Sequence, residues 1–283
     1  MSLRISWGDE MYQLFNEDCL EGMKRIDAGS VDAIITDLPY GITSCPFDVR
    51  IPFEPMWEQF KRVTKRNAAI VLFSQMPFGA ELIMSNRKMF RYEIIWEKSL
   101  AVGFLNAKKM PLRCHENILV FYQQLPTYNP QFRKGKPYVA DVNTTTINYG
   151  KSNRPVTISD GRRYPRDVVK FYQVGNFNHT DNYHAQQKPT DLLEYLIKTY
   201  TNEGELVLDA TMGSGSTGVA AVNTGRRFIG FETEQNFYDI ARQRLAKAAA
   251  QREQSLFKLG DDHDDGTLNH ELSGGIAQGD CGD

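Results

Sequence analysis

The sequence predicts a layered α/β fold on three observations. Short, β-branched apolar runs recur along the chain, amphipathic helical patterns separate most of them, and one strand–turn–helix unit is rich in glycine. In chain order the strand-like runs are 12–15, 31–36, 69–73, 92–96, 118–122, 205–208 and 227–231, and their apolar character suits a largely buried sheet. Phe53, Met56, Trp57, Phe60 and Val63 fall on one helical face, as do Leu192, Leu193, Leu196, Ile197 and Tyr200. No helical pattern separates 92–96 from 118–122, so that pair is expected to run antiparallel at one edge of the sheet.

A length of 283 residues with 41% hydrophobic side chains is enough for one sizeable core with a modest insertion. The first thirty residues hold no apolar stretch behind a basic start, and no run of about eighteen apolar residues occurs anywhere, so a soluble cytoplasmic protein is expected. Cys19, Cys45, Cys114 and Cys281 are scattered, without a CxxC pair, and are expected to be reduced thiols with no disulfide framework or structural metal.

The net charge of −2 hides a division. Residues 259–283 carry seven acidic side chains and no Lys or Arg, which leaves residues 1–258 with 33 basic against 28 acidic, a surplus of five. The tail reads as a disordered, solvated extension, or alternatively as a self-masking acidic arm. Residues 125–180 break the α/β rhythm: Pro, Asn, Thr and Gly are frequent and helical periodicity is absent, so they read as an insertion and not as a further sheet repeat. There Arg133, Lys134, Lys136, Lys151, Arg154, Arg162, Arg163, Arg166 and Lys170 face only Asp141, Asp160 and Asp167, with Tyr138, Tyr149, Tyr164 and Phe171 interleaved. That pattern fits either a solvated face or a nucleic-acid contact.

Glu205 to Gly218 combines an apolar strand, the turn Asp209-Ala-Thr211-Met-Gly213-Ser214-Gly215 and a small-residue helix. Glycines let the backbone turn tightly and approach a ligand, and the opening helix leaves N–H groups free at its start. The following strand ends at Glu232, where a carboxylate can accept from both ribose hydroxyls of a nucleoside. Asp209 would oppose a dinucleotide pyrophosphate but suits a cationic ligand such as S-adenosylmethionine; a turn residue capping its own loop is the other reading.

After the strand 31–36 comes Asp37-Leu38-Pro39-Tyr40-Gly41. Pro39 restricts the backbone, so the Asp37 carboxylate and the Leu38 carbonyl can converge as two acceptors. An aromatic amino group has two protons to offer them, and its lone pair, delocalised into the ring, becomes nucleophilic when the nitrogen is drawn toward tetrahedral geometry. Tyr40 can stack on the base. In isolation the tetrapeptide also fits a structural turn with a capping Asp.

Taken together these segments resemble the amino-group (adenine-N6 or cytosine-N4) DNA methyltransferases. Asp37-Leu-Pro-Tyr40 is similar to their DPPY motif, Asp209 to Gly218 to their DPFxGSGTT motif, His184-Ala-Gln-Gln-Lys188-Pro189 to their HPTQKP element, and Asp18-Cys19-Leu20 to their GDCL segment. With the catalytic motif first and the cofactor motif last, the order is that of the β-type subgroup. The resemblance implies a Rossmann-like S-adenosylmethionine-dependent methyltransferase fold with a mostly parallel seven-stranded sheet, an antiparallel edge hairpin and a circularly permuted motif order. It further implies catalysis at Asp37, Leu38, Pro39 and Tyr40, and cofactor contacts from Asp18, Cys19, Lys188, Asp209, Thr211, Gly213, Ser214, Gly215, Ser216, Thr217 and Glu232. Double-stranded DNA is the implied partner, bound through Arg133, Lys134, Lys136, Lys151, Arg154, Arg162, Arg163 and Arg166 with the target base flipped out. A homodimer is compatible with the family. The expected division is a catalytic half 1–124, a target-recognition insertion 125–180, a cofactor half 181–250 and the tail 251–283.

Leu38 departs from the family pattern by replacing its first Pro, yet the acceptor there is a backbone carbonyl, which Leu also supplies. In this family a leading Asp favours adenine over cytosine. Cytosine-N4 methylation, an inactive DNA-binding relative, and an RNA or protein-glutamine methyltransferase are the competing readings; the last usually carries Asn in place of Asp37 and the reverse motif order. A base-carbon methyltransferase needs a Pro-Cys nucleophile, whereas this chain has Cys45-Pro46. Lys98, Lys108, Lys109 and Arg113 are read as phosphate contacts or ordinary surface charges, and His115 as structural.

Overall fold

The computed structural model describes residues 10–41, 48–140, 145–146, 150–151, 157–173 and 187–261. Arg154, Tyr149, His184 to Gln186, Cys45, Cys281 and the tail beyond Asp261 lie outside the described residues, and Lys151 is described through its backbone alone. The first half runs β1 (Tyr12–Phe15), α1 (Cys19–Met23), β2 (Val31–Thr36), α2 (Phe53–Val63), β3 (Thr64–Ser74), α3 (Phe78–Ser85), β4 (Phe90–Val102) and β5 (Arg113–Phe121). The middle holds β6 (Arg133–Lys134), β7 (Tyr138–Ala140), β8 (Thr145–Thr146), β9 (Gly150–Lys151), β10 (Thr157–Ser159), β11 (Arg162–Arg163) and β12 (Val168–Phe171). The last part is α4 (Thr190–Tyr200), β13 (Leu206–Asp209), α5 (Ser216–Asn223), β14 (Arg227–Phe231) and α6 (Gln235–Asp261).

One sheet organises the chain in the order β1-β14-β13-β2-β3-β5-β4-β12. β5 runs antiparallel to both neighbours, β3 and β4, and every other pairing in the sheet is parallel. Side chains alternate across it. Ile34, Ile70, Leu72 and Leu208 point into a core shared with Met23, Met56, Trp57, Phe60 and Phe78, so α1 to α3 cover that face. Ile35, Val71, Phe73 and Val207 enter a second core with Leu192, Leu196, Ala220, Ala241 and Leu245, supplied by α4 to α6. Because both faces are covered, the central strands carry no polar alternation; β2 is buried at five of its six positions.

Three expectations are corrected. The sheet has eight strands, the eighth being β12, which lies inside the supposed insertion and pairs parallel with β4 from Val168↔Ile95 to Phe171↔Lys98. The hairpin β4–β5 is therefore covered at its outer edge, where an open strand would invite pairing with another chain. The 251 boundary also moves, because α6 continues through to Asp261. The other described strands of the middle segment pair as small antiparallel ladders, β6 with β11, β7 with β10 and β8 with β9. Among the described residues no helix is long and apolar enough to cross a membrane.

The pairing that positions the site is β13 beside β2, with Val207 opposite Ala33 and Leu208 opposite Ile34. The two strands are parallel neighbours although some 170 residues separate them in sequence, so the turns after their C-terminal ends, beginning at Asp37 and Asp209, emerge side by side. This is the edge where open α/β sheets bind ligands.

Candidate active site

Both turns line one cavity of about 770 Å³, to which Asp37, Leu38, Pro39 and Tyr40 contribute from the first turn and Asp209, Thr211, Gly213 and Ser214 from the second, together with Asp18 and Glu232. Thr211 joins the two motifs directly. Its hydroxyl donates to the Asp37 carbonyl at 2.9 Å, and Thr36 Oγ1 lies 2.9 Å from the same hydroxyl.

At the Asp37 end, Tyr40 donates its phenol O–H to Oδ1 at 2.8 Å, while Oδ2 accepts from the Lys188 ammonium. The Tyr40 ring stacks on Phe78, with centroids 4.9 Å apart and planes 30° from parallel, which fixes one of its faces. Burial first, and then the Asp37 charge, push the Tyr40 hydroxyl well above the usual phenol range, so it stays a neutral donor. The Leu38 side chain is buried in the first core, which gives a physical account of Leu where the family pattern has Pro.

Lys188, expected to contact the cofactor, lines the cavity and lies between two carboxylates. Its ammonium pairs with Asp37 and lies 3.3 Å from Glu116 Oε2, over the Phe73 ring at 5.2 Å. Glu116 is 4% exposed and its Oε1 accepts from Lys98 and from Gln75. Burial alone would raise Glu116, but Lys188 and Lys98 outweigh it and hold the carboxyl below its ordinary range. Burial likewise works against the Lys188 charge, and Asp37 with Glu116 hold it above the ordinary lysine value. Lys98 is thus an internal ion-pair partner and not a surface phosphate contact. Glu116 was missed by sequence reasoning, although one signal existed: a carboxylate at the start of the apolar run Ile118 to Phe121 must find cations once buried.

At the other end Asp209 is 3% exposed and accepts from the Thr211 amide at 3.1 Å. Burial pushes its carboxyl up to about 6, partly offset by hydrogen bonds from Thr217 and Thr36. Glu232 accepts from the Gly213 amide at 2.9 Å and the Glu234 amide at 2.9 Å, so it ties the glycine turn to the strand end; burial raises it as well. Gly213 and Gly215 have φ of +52° and +81°, conformations that disfavour a side chain, and a Cβ on Gly215 would lie 2.8 Å from that of Ala241. Ser214 and Ser216 turn their hydroxyls to Arg244, each 3.1 Å away, and Arg244 also donates to the Ser214 carbonyl at 2.6 Å. Arg244 is a support for the loop that no local pattern announced. Asp18 caps α1 through the Leu20 and Glu21 amides at 2.8 and 3.2 Å, and the neighbouring Cys19 thiol is buried and pushed up to about 12, which keeps it unreactive.

Arg133, Lys134, Lys136, Arg162 and Arg166 are exposed in the middle segment. Arg163 is half-buried and spent on its own hairpin, donating to the Lys136 carbonyl and to Ser159 Oγ at 2.6 Å and lying 4.5 Å over the Tyr138 ring. Arg162 lies 5.3 Å over Phe132 and pairs with Asp160 at 2.7 Å. The structure therefore brings the Asp37 and Asp209 groups to one cavity, whose lining does not include Arg133, Lys134, Lys136, Arg162, Arg163 or Arg166.

The family model for DNA methylases of the N6/N4 type matches residues 31–243. The chain belongs to the N6/N4 DNA methylase family. Among relatives similar to this methylase is the DNA adenine methyltransferase YhdJ of Escherichia coli (strain K12), 28% identical over 272 residues and covering 89% of each chain. Another is the type II methyltransferase M.HpaI of Haemophilus parainfluenzae, 26% identical over 249 residues, 82% of this chain and 74% of that protein. In fold the methylase is similar to M1.HpyAVI in complex with SAM (TM-score 0.56, 22% identity, 83% and 99% covered). It is also similar to the cytosine-N4-specific PvuII DNA methyltransferase (TM-score 0.61, 13% identity, 87% and 92% covered). The sheet order, with β5 as its antiparallel strand, is the methyltransferase fold expected from the resemblance.

Proposed function

We propose that this methylase transfers a methyl group from S-adenosylmethionine to the N6 amino group of adenine in double-stranded DNA, after flipping the base into the Asp37 end of the cavity. The observation that carries this reading is the joining of the Asp37 and Asp209 turns in one cavity, linked by the Thr211 hydroxyl to Asp37 carbonyl bond. The cofactor supplies a methyl group already activated as a sulfonium. The residues present fit it: a buried carboxylate, Asp209, suits its cationic amino-acid part, open space beside the Gly213 backbone admits close approach, and Glu232 has lone pairs left for ribose hydroxyls.

The chain's own part in the reaction is positional and electrostatic. Asp37 Oδ and the Leu38 carbonyl accept the two amino hydrogens, which pulls the nitrogen lone pair out of conjugation and aims it along the cavity toward the Asp209 end. Tyr40, backed by Phe78, holds the base plane. The methylated nitrogen carries a positive charge until it loses one hydrogen as a proton, which the Asp37 carboxylate is placed to accept. DNA is held by the exposed Arg133, Lys134, Lys136, Arg162 and Arg166, together with Lys108 and Lys109 of the exposed β4–β5 connection and Arg113 at the start of β5; the stretch from Ser99 to His115 has no acidic residue.

Adenine is favoured by Asp37 at the head of the turn and by the name of the Escherichia coli relative. Incubation with methyl-labelled S-adenosylmethionine and unmethylated plasmid DNA, followed by digestion and mass spectrometry of the nucleosides, is expected to show N6-methyladenine. N4-methylcytosine would move the target to the cytosine amino group, and unlabelled DNA would remove the reading altogether.

A further inference from the structure

Asp37 shares one of its oxygens with a cation before any base arrives. Each of its oxygens already accepts one hydrogen bond, Oδ1 from Tyr40 at 2.8 Å and Oδ2 from the Lys188 ammonium; a lone pair remains on each, but an arriving amino group that takes Oδ2 must share it with a cation. The same cation lies close to a nitrogen that becomes positive during transfer, which is unfavourable in a buried site. Next to it stands a second acceptor. Glu116 Oε2 is buried and accepts no hydrogen bond among the described residues, yet Lys188 Nζ is only 3.3 Å away as an ion pair. Oε1 of the same carboxylate accepts from Lys98 of β4 and from Gln75 just after β3, the strands on either side of β5, so Glu116 is anchored, while Lys188 lies between two carboxylates.

We propose that Lys188 is a two-position latch: it rests on Asp37 before the base arrives, and passes to Glu116 when the amino group takes Asp37 Oδ2. This rests on the methyl-transfer reading above and adds two positioning residues to it. In the resting position the ammonium holds the Asp37 carboxylate aimed while the pocket is empty, with the Phe73 ring 5.2 Å beneath it. In the second position Glu116 neutralises Lys188, and Asp37 recovers its full acceptor strength toward the amino hydrogens. No bond is made or broken in the exchange; hydrogen bonds are traded, one carboxylate for the other.

The latch makes a signed prediction for a pair of substitutions. Glu116→Gln traps Lys188 on Asp37, so kcat is expected to fall about 10²-fold while the Kd for S-adenosylmethionine stays within about twofold. Adding Lys188→Met removes the trapped cation, so the double variant is expected to regain about tenfold over Glu116→Gln alone. Residues that merely held the fold would lose activity together, not recover it. A Glu116→Gln enzyme with kcat within about twofold of the parent, or a double variant no faster than Glu116→Gln, overturns the latch. Independently of whether the variants fold, a structure of the unaltered protein with S-adenosylhomocysteine and duplex DNA carrying its methylated site is expected to show Lys188 Nζ about 2.8 Å from Glu116 and withdrawn from Asp37; Lys188 still seated on Asp37 Oδ2 overturns it. Failure of the underlying reading looks different: the unaltered enzyme would then methylate no DNA.

Discussion

Asp37→Ala is expected to reduce methyl transfer at least about 10³-fold while leaving the Kd for S-adenosylmethionine within a few-fold of the parent. In the proposed reaction the carboxylate is one of two acceptors that localise the amino lone pair, and an interaction made chiefly in the transition state shows in kcat and not in cofactor binding. The substitution spares the contact that joins the two halves of the cavity, because Thr211 is bonded to the Asp37 backbone carbonyl, which Ala keeps. Lys188 retains Glu116 as a counter-charge, so no buried ammonium is orphaned and the fold should hold. Single-turnover kinetics with equilibrium dialysis of labelled cofactor separate the two quantities. An equal loss of cofactor binding would place Asp37 on the cofactor side and refute the role given to it.

Asp209→Asn is expected to act the other way round, weakening the cofactor about 30-fold or more while making the cofactor-free protein more stable at neutral pH. The sign follows from the burial of the carboxyl. Its value rises from 3.8 in the unfolded chain to about 6 in the fold, so the stability linked to its protonated form is full below about pH 4 and is lost as pH climbs through 6. At pH 7.5 the buried charge thus costs the cofactor-free fold up to about 3 kcal/mol, which Asn removes while its carbonyl still accepts from the Thr211 amide. Cofactor affinity has the opposite dependence: a cationic partner needs the ionised form, so binding by the parent weakens as pH falls below about 6, and the Asn variant loses that slope. Thermal melts from pH 5 to 8 with and without S-adenosylmethionine test both halves. A variant that melts lower at pH 7.5 without cofactor would show that Asp209 supports the fold and is not strained by it.

The seven strands expected from apolar runs are all present, because central parallel strands are buried on both faces and read as continuous hydrophobic segments. β3, β4 and β5 run longer than the pattern indicates. The extra residues, such as Lys65, Arg66 and Asn67 at the start of β3, are exposed and polar and so leave no hydrophobic trace. β12 was overlooked for a related reason: an edge strand whose Val168 and Lys170 face solvent looks like the loop around it. The adjacency of β13 and β2 could not come from local pattern at all. Motif order and family resemblance implied it, and sheet pairing now supplies it. In the site the two acidic turns were legible because Gly, Pro and Asp mark strand ends, whereas the partners that define their chemistry, Glu116, Arg244 and Phe78, come from distant elements and lie close to the turns only in the folded chain. Lys188 was legible as important but not as to its partner, since a lysine's reach does not reveal which carboxylate it meets.

The central claim is that an adenine amino group held at Asp37 and a methyl donor held at Asp209 and Glu232 face each other in one cavity. A bisubstrate compound, adenosine tethered through N6 to a nitrogen that replaces the sulfonium of the cofactor, puts both groups in one molecule. Crystallised with the protein, it is expected to lie along the cavity with N6 hydrogen-bonded to Asp37 and the Leu38 carbonyl and its ribose on Glu232. A compound seated by its cofactor part alone, with the adenine turned away from residues 37 to 40, would contradict the account.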